Sequence, residues 1–221
     1  MFHWLEQRPF FFTVVLFLTV AFAGLVEVLP DFAKASQPLV NTKPYTVLEL
    51  AGRQVYIKDS CNACHSQLIR PFKSETDRYG MYSLSGEYAY DRPFLWGSKR
   101  TGPDLHRVGN YRTTDWHENH MMDPADVVPG SIMPSYAHMF TNKADVATAY
   151  ANANTQKVVF AVPYDKAGMP KLGSWDEAKA AALEDAKVIA ADMKNQSVKD
   201  AVAAGEIPEI VALIAYMNSL K

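Results

Sequence analysis

The sequence has little cysteine: Cys61 and Cys64 are the only two in 221 residues. With no further thiols, a structural zinc site would need ligands scattered along the chain, which fits the usual spacing of zinc ligands poorly. A redox dithiol is the other use of a C-x-x-C pair, but the βαβ pattern that accompanies such a motif is missing around it. Both alternatives therefore have weak support.

The sequence also lacks a charge imbalance. The formal net charge is −2, and acidic and basic residues are interspersed without a long block of one sign, so composition points to no nucleic-acid partner. The run from Trp116 to His120 resembles a zincin helix, but the H-E-x-x-H pattern needs histidine at the position of Met121. A metalloprotease is therefore excluded. About half of the residues are apolar, enough for the core of one domain with an appendage.

What the sequence does have is the run Cys61-Asn62-Ala63-Cys64-His65, the attachment pattern for a c-type haem. Residues three apart share one face of a helical turn, so Cys61 and Cys64 can both reach the porphyrin edge and form thioethers with its vinyl groups. His65 then offers a nitrogen to the iron. We interpret the motif as the site of one covalent haem c.

One long apolar run is present, from Pro9 to Leu29, with Glu27 as its only charge. As a helix it would span about 30 Å, the thickness of a bilayer's hydrocarbon core. A cleaved signal peptide is the alternative, because Ala33-Lys34-Ala35 resembles a cleavage site, but the run is long for that role. Arg8 favours a cytoplasmic N-terminus. We expect an anchor over 1–30, a linker over 31–44 and a periplasmic domain over 45–221 at the bacterial inner membrane, where haem c is attached.

Two amphipathic segments frame that domain. Thr46–Ser60 and Ile207–Leu220 carry apolar residues at helical spacing, and Gly52 in the first predicts the close approach of another helix. The fold class is therefore mainly α: one N-terminal transmembrane helix and a helical domain that resembles class I cytochromes c. Two insertions, about 68–100 and 141–205, interrupt that frame. The first is rich in aromatic and basic residues, which suits a protein interface or a roof over the haem. The second contains a capping box at Ser174 and is expected to be a solvated helical elaboration.

Further residues are candidates around the iron. The carbonyl oxygen of Pro103, in Gly102-Pro103-Asp104-Leu105, is expected to accept the Nδ1 hydrogen of His65. Methionine is the expected sixth ligand, with Met133 preferred because it follows that turn in the order a cytochrome c needs; Met169 is the second candidate. The remaining histidines of the domain are interpreted as surface or supporting residues: His106, His117, His120 and His138.

The order of motifs resembles one family, the membrane-anchored mono-haem cytochrome c subunit (subunit II) of cbb3-type cytochrome c oxidases. The resemblance covers nearly the whole chain but carries nothing over to the second insertion. The matching segments are the N-terminal anchor, Cys61–Gln67, Ile69–Phe72, Tyr79–Ser83, Trp96–Leu105, Trp116–Pro124 and Val128–Pro134.

The resemblance implies a subunit of an enzyme complex that does not itself reduce oxygen. It would take electrons from a second cytochrome c subunit or a soluble donor and pass them to haem b of the catalytic haem-copper subunit. Cys61 and Cys64 would be thioether anchors, with His65 and Met133 as axial ligands. Propionate or subunit contacts are implied for Arg70, Trp96, Arg100 and Arg107. The Trp96–Arg100 stretch is the expected face on the catalytic subunit and a candidate site for a bound cation. A free-standing, membrane-tethered cytochrome c shuttle is the alternative function, and a haem enzyme with an open axial site is a third.

Overall fold

The structure of this chain is a computed structural model, and it describes residues 3–33, 37–97 and 99–221. Within these residues the regular structure is helical, and no β-strand forms. Ten α-helices follow one another along the chain: α1 His3–Glu6, α2 Pro9–Ala33, α3 Val47–Lys58, α4 Lys73–Tyr79, α5 Thr114–Met122, α6 Pro124–Val127, α7 Val146–Val159, α8 Trp175–Asp192, α9 Gln196–Ala203 and α10 Glu209–Ser219. The predicted mainly α fold class is therefore confirmed.

The apolar run forms α2. Its segment Pro9–Pro30 is 22 residues long, has a mean hydropathy of 2.4, and is not buried against the rest of the protein. This length and composition fit a membrane-crossing helix. The helix continues to Ala33, past the boundary expected at residue 30, and residues 34–36 of the expected linker lie outside the described residues. Farther along, Leu39 N–H donates to the carbonyl oxygen of Gly86, so this end of the linker lies against the first insertion.

Helices α3 and α10 form the centre of the domain. Eight of the twelve residues of α3 and nine of the eleven of α10 are buried, and the two helices pack closely on each other. A Cβ atom on Gly52 would lie 1.9 Å from the carbonyl oxygen of Ala212 in α10, so only glycine permits this crossing. The predicted close approach at Gly52 is confirmed. Tyr56 and Tyr216 meet edge to face beside the crossing, with ring centroids 5.5 Å apart.

The second insertion is a packed layer. Helix α7 lies on α3, and α8 lies on both α3 and α10. A stripe of small side chains at four-residue spacing forms the buried face of α8: Ala178, Ala182, Ala186 and Ala190. The capping box of Ser174 and Glu177 that opens α8 is confirmed. The expectation of a solvated elaboration is therefore wrong for this face. Alanine lets a helix pack closely, but it lacks the large apolar side chain from which burial is usually predicted.

Candidate haem-binding site

The two cysteines lie in a tight turn directly after α3. Helix α3 ends at Lys58, and Ser60 adopts a left-handed backbone conformation with φ of 56° that turns the chain away from the helix axis. The N–H groups of Cys64 and His65 both donate to the carbonyl oxygen of Cys61, over 3.2 and 2.9 Å. This turn presents Cys64 at the surface and Cys61 half-buried.

Cys61 has an environment that keeps its thiol protonated. Burial raises the pKa of this thiol to about 12, and the nearby Asp59 and Cys64 add to the shift. Reactive dithiols and zinc thiolates depend on the opposite effect, a pKa lowered by positive charge or a metal. The surroundings of Cys61 therefore favour a covalently capped sulfur over a redox pair.

His65 is held by the loop that contains Gly102 and Pro103. Its Nδ1 donates a hydrogen bond to the carbonyl oxygen of Pro103 over 2.8 Å, so Nε2 is the ring nitrogen left for a metal. A Cβ atom on Gly102 would lie only 2.2 Å from Cε1 of the imidazole. Burial lowers the pKa of His65, which keeps the ring neutral as metal ligation requires.

Backbone pairing holds this loop in register with the motif. Gly102 N–H donates to the carbonyl oxygen of Cys64 over 3.0 Å, and Leu105 N–H donates to that of Ser66 over 2.9 Å. The buried Asp104 carboxylate accepts from the Ser66 hydroxyl over 2.6 Å and from the Leu68 N–H over 2.8 Å. The position of Pro103 over His65 therefore follows from contacts on both sides of it.

Arg70 and Arg100 share one buried partner, Glu75 of α4. Arg100 Nη2 donates to Glu75 Oε2 over 2.7 Å, and Arg70 forms an ion pair with the other oxygen. The hydrogen bond from Arg100 holds the pKa of Glu75 at about 2, with further contributions from Arg70. Arg100 Nε also donates to the Ser66 hydroxyl over 2.6 Å. Arg100 therefore ties the first insertion to Ser66, directly after the motif, whereas the contact of Arg70 with Glu75 lies within the insertion.

Arg107 and Trp96, the other two candidates, differ in burial. Arg107 is buried, donates to the Glu87 carboxylate over 2.7 Å and to the carbonyl oxygen of Lys221 over 2.8 Å. Trp96 is 39% exposed and stacks on the exposed Phe94, with centroids 4.6 Å apart and planes 6° apart. Its backbone carbonyl accepts the Gln67 N–H over 2.9 Å, so the ring is carried at the surface on a backbone joined to the motif.

Met133 lies in the segment between α6 and the 3-10 turn Ala137–Phe140, where it is half-buried against the core. The chain then returns to the cysteine turn, since His138 Nε2 lies 3.2 Å from Oδ2 of Asp59, two residues before Cys61. Met169 lies elsewhere, in the loop between α7 and α8, where its N–H closes a turn on the Lys166 carbonyl oxygen over 3.0 Å.

The remaining histidines are mostly buried. His106 is held by the Ser83 hydroxyl over 2.6 Å and stacks on Tyr88, and burial lowers its pKa to about 3. His117 and His120 are buried on α5, and His120 lies close enough to His65 for that ring to lower its pKa further after burial. Of the two expected placements, at the surface or as supporting residues, burial leaves the second for these three, whereas His138 is exposed.

Several site residues were not predicted from the sequence. Asp104 has a detectable signal, because its carboxylate caps the N–H of His106 two residues on, over 2.9 Å, as Asx turns do. Glu75 has none, because its partners are 5 and 25 residues away.

This arrangement fits haem attachment. Two thiols on one turn and an imidazole fixed through Nδ1, with Nε2 left for a metal, suit a covalently bound haem with a histidine ligand. Gly102 leaves room for this imidazole. The helical fold and this site together are typical of a c-type cytochrome domain.

Comparison with protein families identifies the group within that class. The family described as "Cytochrome C oxidase, mono-heme subunit/FixO" matches residues 2–221. The chain belongs to this family of oxidase subunits, whose name implies one haem. A comparison with curated proteins finds no match.

Proposed function

We propose that this chain is the electron-transfer subunit of a cbb3-type haem-copper oxidase and carries one covalent haem c. It would accept electrons from a second cytochrome c subunit or a soluble donor and deliver them towards haem b of the catalytic subunit. The observation that carries the proposal is the turn of Cys61 and Cys64 beside a His65 ring bound through Nδ1 to Pro103. Family membership supports the oxidase as the destination.

Each residue of the site has a stated role. Cys61 and Cys64 would hold the porphyrin as thioethers, and His65 and Met133 would bind its iron. Pro103 orients the His65 ring and increases its basicity as a ligand. When bound, the haem would supply a one-electron carrier. With His65 and Met133 as its protein ligands, the iron would have no position open to oxygen, which would be reduced in another chain.

Helix α2 supports a membrane location, with the domain of residues 45–221 in the periplasm of the bacterial inner membrane. A segment of 22 residues with mean hydropathy 2.4 is long enough to cross the bilayer. Arg8 at its start favours a cytoplasmic N-terminus. Haem c is attached on the periplasmic side, where this topology would leave the cysteine motif.

We place contact with the catalytic subunit at the surface formed by Phe94 and Trp96. Exposed, stacked aromatic rings are enriched at the centres of protein interfaces. The backbone carbonyl of Trp96 accepts a hydrogen bond from the N–H of Gln67, two residues after His65, so this surface lies close to the haem site along the backbone. Among the described residues of the Trp96–Arg100 stretch, no cluster of three His, Cys, Asp or Glu side chains forms that could hold a cation.

The test is co-purification. The tagged chain is isolated from membranes in mild detergent, and haem types and copper are measured. We expect b-type haem and copper to accompany haem c, and Trp96→Ala to reduce both. The matched control is Trp175→Ala in α8, whose ring has a similar exposed fraction, 36% against 39%. A lone haem c protein without copper would instead support the membrane-tethered shuttle.

A further inference from the structure

A cluster of metal-ligating side chains lies outside the proposed haem ligands. Asp59 follows the last residue of α3, His138 lies in the 3-10 turn Ala137–Phe140, and Glu209 is the first residue of α10. One ligand atom from each of the three residues lies within 4.8 Å of the other two. His138 Nε2 is 3.2 Å from Asp59 Oδ2. Three separate elements therefore bring one imidazole and two carboxylates together.

Glu209 is the residue that points to a ligand. Only 6% of it is exposed, and Lys58 Nζ binds its Oε1 over 2.5 Å. The other oxygen, Oε2, is buried and has no hydrogen-bond partner among the described residues. A buried carboxylate oxygen without a partner is unfavourable, and buried charges in proteins are usually paired or coordinate a metal.

The charge of the cluster also suits a cation. The cluster brings two carboxyl groups, those of Asp59 and Glu209, against one amine, that of Lys58, and one imidazole. The exposed side of His138 gives an ion a path from solvent. The Lys58 side chain is itself half-exposed and can turn towards solvent when a cation arrives.

We propose that Asp59, His138 and Glu209 form a binding site for a divalent transition-metal ion of the Zn²⁺ type. Imidazole nitrogen with carboxylate oxygen is a zinc donor set, whereas Ca²⁺ and Mg²⁺ prefer oxygen alone. Three protein ligands leave the fourth position to water. The ion pairs with the Glu209 oxygen that Lys58 does not reach.

The location gives the ion a structural consequence. It joins the end of α3, two residues before Cys61, to the start of α10 and to the turn five residues after Met133. Because binding to the folded state alone adds to its stability, Zn²⁺ raises the temperature at which this region unfolds.

The test uses the full chain with haem attached, in detergent and without a polyhistidine tag. After treatment with a chelator, Zn²⁺ alone is added and its binding is measured by equilibrium dialysis and metal analysis. The wild type binds one Zn²⁺ more than His138→Gln at the same free concentration. Loss of a supporting residue costs a metal site about 10–100-fold in affinity, so loss of a ligand weakens binding at least tenfold.

The matched control is His3→Gln. His3 is also an exposed histidine beside a carboxylate, that of Glu6, but it lies at the far end of the chain from the cluster. This variant keeps wild-type Zn²⁺ binding. Zn²⁺ also raises the unfolding temperature of the wild type and of His3→Gln, and leaves that of His138→Gln unchanged.

Glu209→Gln leaves Lys58 without its charge partner and can fail to fold. The test of the site therefore uses His138→Gln and Asp59→Asn, and the haem absorption spectrum checks that each variant is folded. Equal Zn²⁺ binding by wild type and both variants overturns the site. Displacement of Zn²⁺ by a comparable concentration of Ca²⁺ overturns the choice of metal.

Discussion

Replacing Gly102 by alanine is the sharpest test of how His65 is held. A Cβ at this position would lie 2.2 Å from Cε1, 2.7 Å from Nδ1 and 2.8 Å from Nε2 of the imidazole. Non-bonded carbon atoms sit about 3.5–4.0 Å apart, so the ring or the loop must move by roughly 1.3 Å. The bond from Nδ1 to the Pro103 carbonyl oxygen is 2.8 Å long. A lengthening of only about 0.8 Å abolishes it.

The cost of Gly102→Ala follows from these contacts. Losing the hydrogen bond costs about 0.5–1.5 kcal/mol, and forcing a methyl group into a packed position costs about 1–3 kcal/mol. Without its bond to Pro103, His65 is a less basic ligand, which destabilises the oxidised iron relative to the reduced iron. We therefore expect a higher midpoint potential. Each tenfold change in the equilibrium between oxidised and reduced iron shifts it by about 59 mV.

The assay is a redox titration of the purified full chain, with haem content and thermal unfolding measured on the same sample. Gly109→Ala is the matched control, since its Cβ would lie 2.7 Å from the carbonyl oxygen of Asn218 and does not meet His65. It should lower the unfolding temperature and leave the potential unchanged. Wild-type potential and haem content in Gly102→Ala would refute the reasoning.

Three further predictions concern the helix crossing, the sixth ligand and pH. Gly52→Ala should lower the free energy of unfolding by about 2 kcal/mol and the unfolding temperature by about 4–8 °C. Its Cβ would lie 1.9 Å from the Ala212 carbonyl oxygen, and the gain in helix propensity is only about 1 kcal/mol. An unchanged unfolding temperature in calorimetry would contradict this. Met133→Leu should abolish the oxidised-state methionine-to-iron absorption band and Met169→Leu should keep it, so the reverse pattern would move the ligand to Met169. Burial holds the pKa of His106 at about 3 against 6.5, so the unfolded chain binds this proton first. The free energy of unfolding should therefore fall as pH drops from about 6.5 towards 3, by at most about 1.4 kcal/mol per pH unit for this group. Urea titrations at several pH values should show that this free energy depends less steeply on pH in His106→Gln. An identical pH dependence in the variant and the wild type would argue against the prediction.

Local signals predicted the starts of α3 and α8 closely. The segment expected to be helical from Thr46 to Ser60 is helical over Val47–Lys58, and the Thr46 side chain caps it. The helix expected to open at Ser174 begins at Trp175. These features depend on residues within four positions of one another, which is the range over which capping and helical periodicity act.

Contacts between distant segments were the part that the sequence could not supply. Glu118 belongs to the run that resembles a zincin helix, yet its buried carboxylate accepts the N–H groups of Lys194 and Asn195 over 2.7 and 2.6 Å. It caps the turn between α8 and α9, 76 residues along the chain. No spacing rule links residues so far apart, and a buried glutamate cannot be told from an exposed one by its letter.

The first insertion shows why its composition was ambiguous between an interface and an internal support. Two of its arginines, Arg70 and Arg100, form ion pairs within the domain, both with Glu75. Its aromatic rings divide differently: Tyr88 is buried on His106, while Phe94 and Trp96 face solvent as a stacked pair. A partner that docks on Phe94 and Trp96 would therefore meet flat apolar rings. We expect this association to be governed more by burial of aromatic area than by salt concentration, because screening weakens exposed ion pairs and leaves apolar contacts in place.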